Sequence, residues 1–178
     1  MFVDTGPCED DDTPWPMGDA TRMAWLRETL NTPGRAKMVF AHHSRLSRGK
    51  HGDIKQVDGL WQALFDNAGA PLAALTMAGH DHNVSIYKPR ARTNPASAVT
   101  DFAHGIHVIV NGAGGRGHDV GFRGTRPELF FDDDNYALTR ITLIDARTAD
   151  VEILSFGGSK DPPATVQPAV LHTLKIRL

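Results

Sequence analysis

Two apolar runs that each stop on histidine constrain this chain more than any other feature. Residues 37–41 (K-M-V-F-A) lead into His42 and His43, and Leu72–Ala78 leads into Gly79-His80-Asp81-His82. Between them come a polar, glycine-punctuated stretch, Ser44–Ile54, and then Val57, Leu60, Trp61, Leu64 and Phe65 at helical spacing, stopped at Ala68–Gly69. Short apolar strands on either side of an amphipathic helix read as a strand–helix–strand unit with parallel, neighbouring strands. The carboxyl ends of such strands share one edge of the sheet, where α/β proteins place their chemistry. His42, His80 and His82 are therefore predicted along one edge.

The flanks extend the pattern. Residues 1–4 (M-F-V-D) read as the end of a buried strand, followed by an acidic loop at Glu9–Asp12 and the Pro/Trp segment T-P-W-P. Asp19 suits the cap of a helix in which Met23, Leu26 and Leu30 recur at helical spacing beside Trp25, and Pro33–Gly34 stops it. After His82 the alternation gives way to strands in succession. Residues 83–88 alternate as a strand, and 88–101 are Pro- and Ser-punctuated, hence a mobile loop. Residues 106–111 are a strand closing on G-A-G-G, and 136–145 pair with 149–156 as a hairpin. The expectation is an α/β fold: an alternating N-terminal part, then mostly antiparallel strands. It occupies residues 1–157, before a Pro-containing tail, 158–178, with a possible last strand over Leu171–Leu178.

Composition removes several classes of function. A chain of 178 residues is one domain's worth. With 19 Lys and Arg against 21 Asp and Glu, no basic stripe can form for nucleic acid, and K-P-R-A-R at 88–92 is too short to serve. The one cysteine, Cys8, excludes an internal disulfide framework and Cys-rich zinc modules. No run approaches the ~18 apolar residues of a membrane helix, and the N-terminus is acidic where a signal peptide is basic, so the expected location is cytoplasmic.

The nine histidines cluster, at 42–43, 51, 80–82 and 104–118, with His172 apart. Neutral imidazole is the commonest metal ligand, and H-x-H after a strand end suits a metal site in either a strand or a loop. Other features read as structural. Asp132–Asp134 lacks calcium-loop spacing and reads as a solvated turn. G-A-G-G-R-G at 112–117 lacks the Lys-Ser/Thr of a phosphate-binding loop and reads as a sharp turn. His104 and His118 flank glycine-rich turns near the mouth, and His172 reads as a surface residue.

Four segments together carry a resemblance: V-F-A-H-H-S-R-L-S-R-G-K-H-G, L-W-Q-A-L-F, M-A-G-H-D-H-N and G-I-H-V-I-V-N-G-A-G-G. In this order and spacing the chain, from about Phe2 to about Leu154, resembles the C-terminal half of a calcineurin-like metallophosphoesterase, most of all its purple-acid-phosphatase branch. The resemblance implies a truncated α/β/β/α sandwich and assigns roles by position. His42 and His80 would bind one metal and His82 another. His51 would contact the substrate phosphate or assist the leaving group. His43 and Asn83 fall beside the substrate, and Gly112–Gly115 fall beside the site; His107, inside an alternating strand, reads first as a packed, hydrogen-bonded histidine, with a place beside the substrate as the alternative. Ser44 stands where the family has proline.

The family's D-x-H, G-D-x-x-D and G-N-H-D/E motifs do not occur in this sequence. Gly18-Asp19 and Gly52-Asp53 lack the second aspartate, so the length reads as a truncation. Three histidines can still hold one ion with a position open for water. The cofactor expected is a divalent metal, zinc above all, with manganese or iron as alternatives and one or two ions. Further carboxylates would come from Asp4, Asp53, Asp81 or the Glu9–Asp12 loop. The expected function is hydrolysis of small phosphomono-, di- or triesters by a metal-bound hydroxide, broad and slow. The competing expectation is an inactive metal-binding or association module. Either way, a homodimer or higher oligomer is expected to cover the bare flank of the fold.

Overall fold

The computed structural model describes residues 1–5, 20–34, 36–99, 104–115, 117–118, 121–158 and 168–178. The Asp19 cap, the acidic loop and Cys8 lie outside them. Among the described residues no helix is long and apolar enough to cross a membrane.

Among the described residues nine strands form two sheets. The larger has the order β1 (Phe2–Val3), β2 (Met38–Ala41), β3 (Leu75–Ala78), β5 (Ile106–Asn111), β4 (Val84–Arg90) and β6 (Phe130–Asp132). The strands β1, β2, β3 and β5 run parallel, while β4 is antiparallel to both β5 and β6. The smaller sheet is the antiparallel set β7 (Asn135–Leu143), β8 (Thr148–Gly158) and β9 (Ala169–Arg177). The final strand expected of the tail is thus a full partner of β8, with Leu174 opposite Val151.

Alternation along the strands builds two cores. On one face of the large sheet, Val39, Tyr87, Ile106, Val108 and Val110 pack against helix α1 (Ala20–Asn31) and helix α2 (Asp58–Ala63) through Leu26, Leu30, Leu60, Trp61 and Leu64. On the other face, Leu75, Val84, Ile86 and Ile109 meet Ala137, Val151, Ile153 and Ile176 of the small sheet. The small sheet turns the ion pairs Arg140–Glu152 and Lys175–Asp150 outward, as an antiparallel sheet with one wet face does. The described residues form the expected α/β sandwich: helices, a six-stranded sheet, a three-stranded sheet.

Several local expectations change. The segment M-F-V-D is a strand at the edge of the sheet, with Phe2 82% exposed instead of buried. The helix at 57–65 opens as a 3-10 turn over Lys55–Val57, and α2 itself ends at Ala63, yet all five of its predicted apolar residues are buried. Strand β4 extends through Pro89 to Arg90, into the stretch expected to be loop; proline fits because the pairing shifts register between Tyr87 and Arg90. Arg90 is held there by both carboxylate oxygens of Glu128, at 2.6 and 2.7 Å. His172 is not a plain surface residue: it stacks on Phe130, with ring centroids 4.9 Å apart.

Candidate metal centre

The parallel strands deliver the site. Their carboxyl ends bring Asp4 and Thr5, His42 and His43, His80, and Asn111 to one edge of the large sheet. Beyond Ala78 the chain turns sharply: the Asp81 amide donates to the Gly79 carbonyl at 2.9 Å and the Asn83 amide to the Asp81 carbonyl at 2.9 Å. His80, at the centre of the first turn, has φ 67°, a left-handed conformation that non-glycine residues seldom adopt and that clusters at functional sites. A Cβ on Gly112 would lie 2.2 Å from the Asp81 carbonyl oxygen, so only glycine lets the end of β5 pass this turn.

His42, His43 and His80 each offer a ligand nitrogen within 4.8 Å of the others. The Nδ1 of His80 lies 3.3 Å from Nε2 of His42. Two lone pairs at that distance repel unless a proton or a cation lies between them. Zinc–nitrogen bonds of ~2.0–2.1 Å in tetrahedral geometry set neighbouring nitrogens about 3.3 Å apart, so the pair fits an ion. The buried His43 has its Nδ1 2.7 Å from the Thr5 hydroxyl, which fixes the ring and makes Nε2 the nitrogen it would give a metal. His43, predicted beside the substrate, therefore joins His42 and His80 in the group that could hold a metal.

His51 also arrives: its ring centroid is 4.2 Å from that of His80. Asp81 puts it there. The carboxylate is 1% exposed, accepts the His51 amide at 2.9 Å and takes the Ser47 hydroxyl on its other oxygen. Asp81 thus organises loop 44–51, and Asp53 is likewise engaged, by the Ser47 amide and by the amide and hydroxyl of Thr125. Asn83 is buried, accepting the Ser85 hydroxyl at 2.8 Å.

The remaining predicted residues stand apart. His82, expected to bind a second metal, is not in the three-histidine group; its Nδ1 donates to the Gly117 carbonyl at 2.9 Å, which leaves Nε2 as the ring nitrogen able to accept. His107 sits opposite Leu75 at the start of β5, three residues before Val110, which is opposite Ala78 at the site end. That separation is about 10 Å along a strand. Burial between the sheets pushes its pKa down to about 4, so it is a neutral core histidine. The sequence missed Thr5 and the organising role of Asp81; the only signal for Asp81 was its place between two histidines in H-D-H.

No protein-family model matches the chain, and no curated protein does. Solved structures do. A purple acid phosphatase from yellow lupin (Lupinus luteus) seeds matches with a TM-score of 0.69 at 17% identity, over 99% of this chain and 30% of that one. GAP50, the anchor in the inner membrane complex of Plasmodium, matches with a TM-score of 0.63 at 17% identity, over 99% of this chain and 48% of that one. Identities this low establish a shared fold, and the chain spans less than half of either neighbour.

Proposed function

We propose that the chain is a metal-dependent phosphoester hydrolase with His42, His43 and His80 as ligands of one divalent ion. The observation that carries the reading is the meeting of three imidazole nitrogens within 4.8 Å, in a fold shared with a purple acid phosphatase. A bound ion would supply Lewis acidity to the phosphoryl oxygen and lower the pKa of a water.

The chain's own residues do the rest. Three neutral imidazoles leave the ion's full charge uncompensated, which favours an anionic phosphoester. His51, beside His80 and anchored through its amide, is positioned to give a proton to the leaving oxygen. Asp81 fixes its backbone, and Gly112 admits the turn that carries His80. Zinc fits the all-nitrogen donor set best.

Chelation of the purified protein should abolish turnover of 4-nitrophenyl phosphate and bis(4-nitrophenyl) phosphate, and added Zn²⁺ or Mn²⁺ should restore it. His80→Ala should lose more than the ~10–100-fold that removal of an outer partner of a metal ligand brings. Unchanged turnover in that variant would refute the proposal. A second reading, a non-catalytic association module, draws support from the neighbour described as an anchor and from the engagement of Asp53 and Asp81 away from the metal. Stoichiometric metal binding without hydrolysis of either ester would favour it.

A further inference from the structure

The loop that carries His51 is held through two carboxylates, and Asp81 is one of them. The other is Asp53, two residues beyond His51. Its Oδ1 accepts the amides of Ser47 and Thr125, each at 3.0 Å, and its Oδ2 accepts the Thr125 hydroxyl at 2.6 Å. Ser47 joins the two carboxylates, since its amide goes to Asp53 and its hydroxyl to Asp81. Residues 121–125 close on the same loop through backbone. The Arg123 amide donates to the Gly49 carbonyl at 3.0 Å, and Arg48 donates to the Gly124 carbonyl at 3.3 Å while its guanidinium lies 5.6 Å from the centre of the Phe122 ring. A Cβ on Gly124 would stand 2.4 Å from the Ser47 carbonyl oxygen and 2.7 Å from the Asp53 nitrogen, so the two segments meet where a side chain has no room. Thr125 is tied to the core in turn: the buried Tyr87 of β4 donates its hydroxyl to the Thr125 carbonyl at 3.0 Å.

We infer that Thr125, acting through Asp53 and Ser47, is a positioning residue for His51. The inference rests on the hydrolase reading above for what His51 does, and on the hydrogen bonds alone for how it is held. Three observations carry it. The path is unbroken: Tyr87 holds Thr125, Thr125 holds Asp53, Asp53 holds Ser47, and Asp81 links Ser47 to the His51 amide. His51 lies between clamped points, with Ser47 and Gly49 held before it and Asp53 after it. Asp53 is met by three donors, two of them from Thr125, and hydrogen bonds to an ionised carboxylate are the strong ones. Asp81 by contrast touches the loop only from the turn that carries His80, and nothing in its bonds ties the loop to β4. Proton transfer requires heavy atoms within ~2.6–3.2 Å, and a displacement of about 1 Å can cost about 100-fold. A clamp remote from the metal therefore decides whether His51 reaches the leaving oxygen.

Two measurements on the full chain test this. A proton donor matters greatly for an alkoxide leaving group and little for a stable phenolate, so the first readout is a ratio. With Zn²⁺ bound, kcat for benzyl phosphate divided by kcat for 4-nitrophenyl phosphate should fall about 10–100-fold in Thr125→Val. Thr125→Ser, which keeps the hydroxyl, should restore the ratio. A purely structural role would lower both rates alike, so an unchanged ratio overturns the inference. The second readout needs no turnover. Amide hydrogen exchange at Ser47, Gly49 and His51 should quicken about tenfold in Thr125→Val, while the amides of β3 and β5 keep their protection. Equal exchange at the three loop amides in wild type and variant overturns the inference, and so does an equal rise in the strands. If the wild type hydrolyses neither ester, the hydrolase reading falls and takes the role of His51 with it, and the exchange measurement alone decides the clamp.

Discussion

At the scale of single residues, the candidate site depends on groups that never touch a metal. A Cβ on Gly49 would stand 2.3 Å from Cγ of Asp81 and 2.5 Å from Nδ2 of Asn83. Gly49→Ala therefore forces the loop off Asp81; thermal or denaturant unfolding should show a loss of about 1–3 kcal/mol, the usual cost of overpacking. Thr5 acts through His43, its hydroxyl 2.7 Å from Nδ1. In Thr5→Val the ring loses the bond that orients it, and zinc affinity measured by competitive chelation should fall by ~10–100-fold. A variant with wild-type affinity would show that His43 is held by packing alone. His42 and His80 were legible because each follows a strand end, and His51 because it sits between Gly49 and Gly52 in a recognisable order. Thr5 and Ser47 were not, because a hydroxyl that orients a histidine across 38 residues of chain leaves no local pattern.

At the scale of elements, the parallel strands were legible and their lengths were not. Apolar runs marked β2, β3 and β5, but a run such as Leu72–Ala78 contains both strand and approach, and only pairing with β2 and β5 selects Leu75–Ala78. Strand β6 escaped notice because three residues of an acidic, aromatic stretch carry no alternation. His107 shows why a motif match does not fix a role. The period of two along β5 puts it on the face buried by the small sheet, at the end away from the site. Burial lowers its pKa from 6.5 to about 4. Between those values the unfolded chain binds a proton that the folded chain refuses, so stability is complete above pH 6.5 and declines as the pH falls towards 4. The decline attributable to His107 is about 3 kcal/mol in all. Denaturant melts of wild type and His107→Leu at pH 4.5 and pH 7 should show the larger pH dependence in wild type, and equal dependence would contradict burial of a neutral imidazole.

For the whole molecule, layering decides where chemistry can occur. Among the described residues, helices pack on one face of the large sheet and the small sheet on the other, and the carboxyl ends of β1, β2 and β3 meet at one edge between them. The histidine group lies at that edge. The layers follow from alternation along the strands and were foreseeable; how far the small sheet extends over the large one was not, since it depends on how one sheet slides over another. Crystals grown with Zn²⁺ and measured for anomalous scattering at the zinc edge test the central claim most directly. The prediction is one ion about 2.0–2.1 Å from a nitrogen of each of His42, His43 and His80. Zinc bound elsewhere, or none at that edge of the sheet, would contradict it.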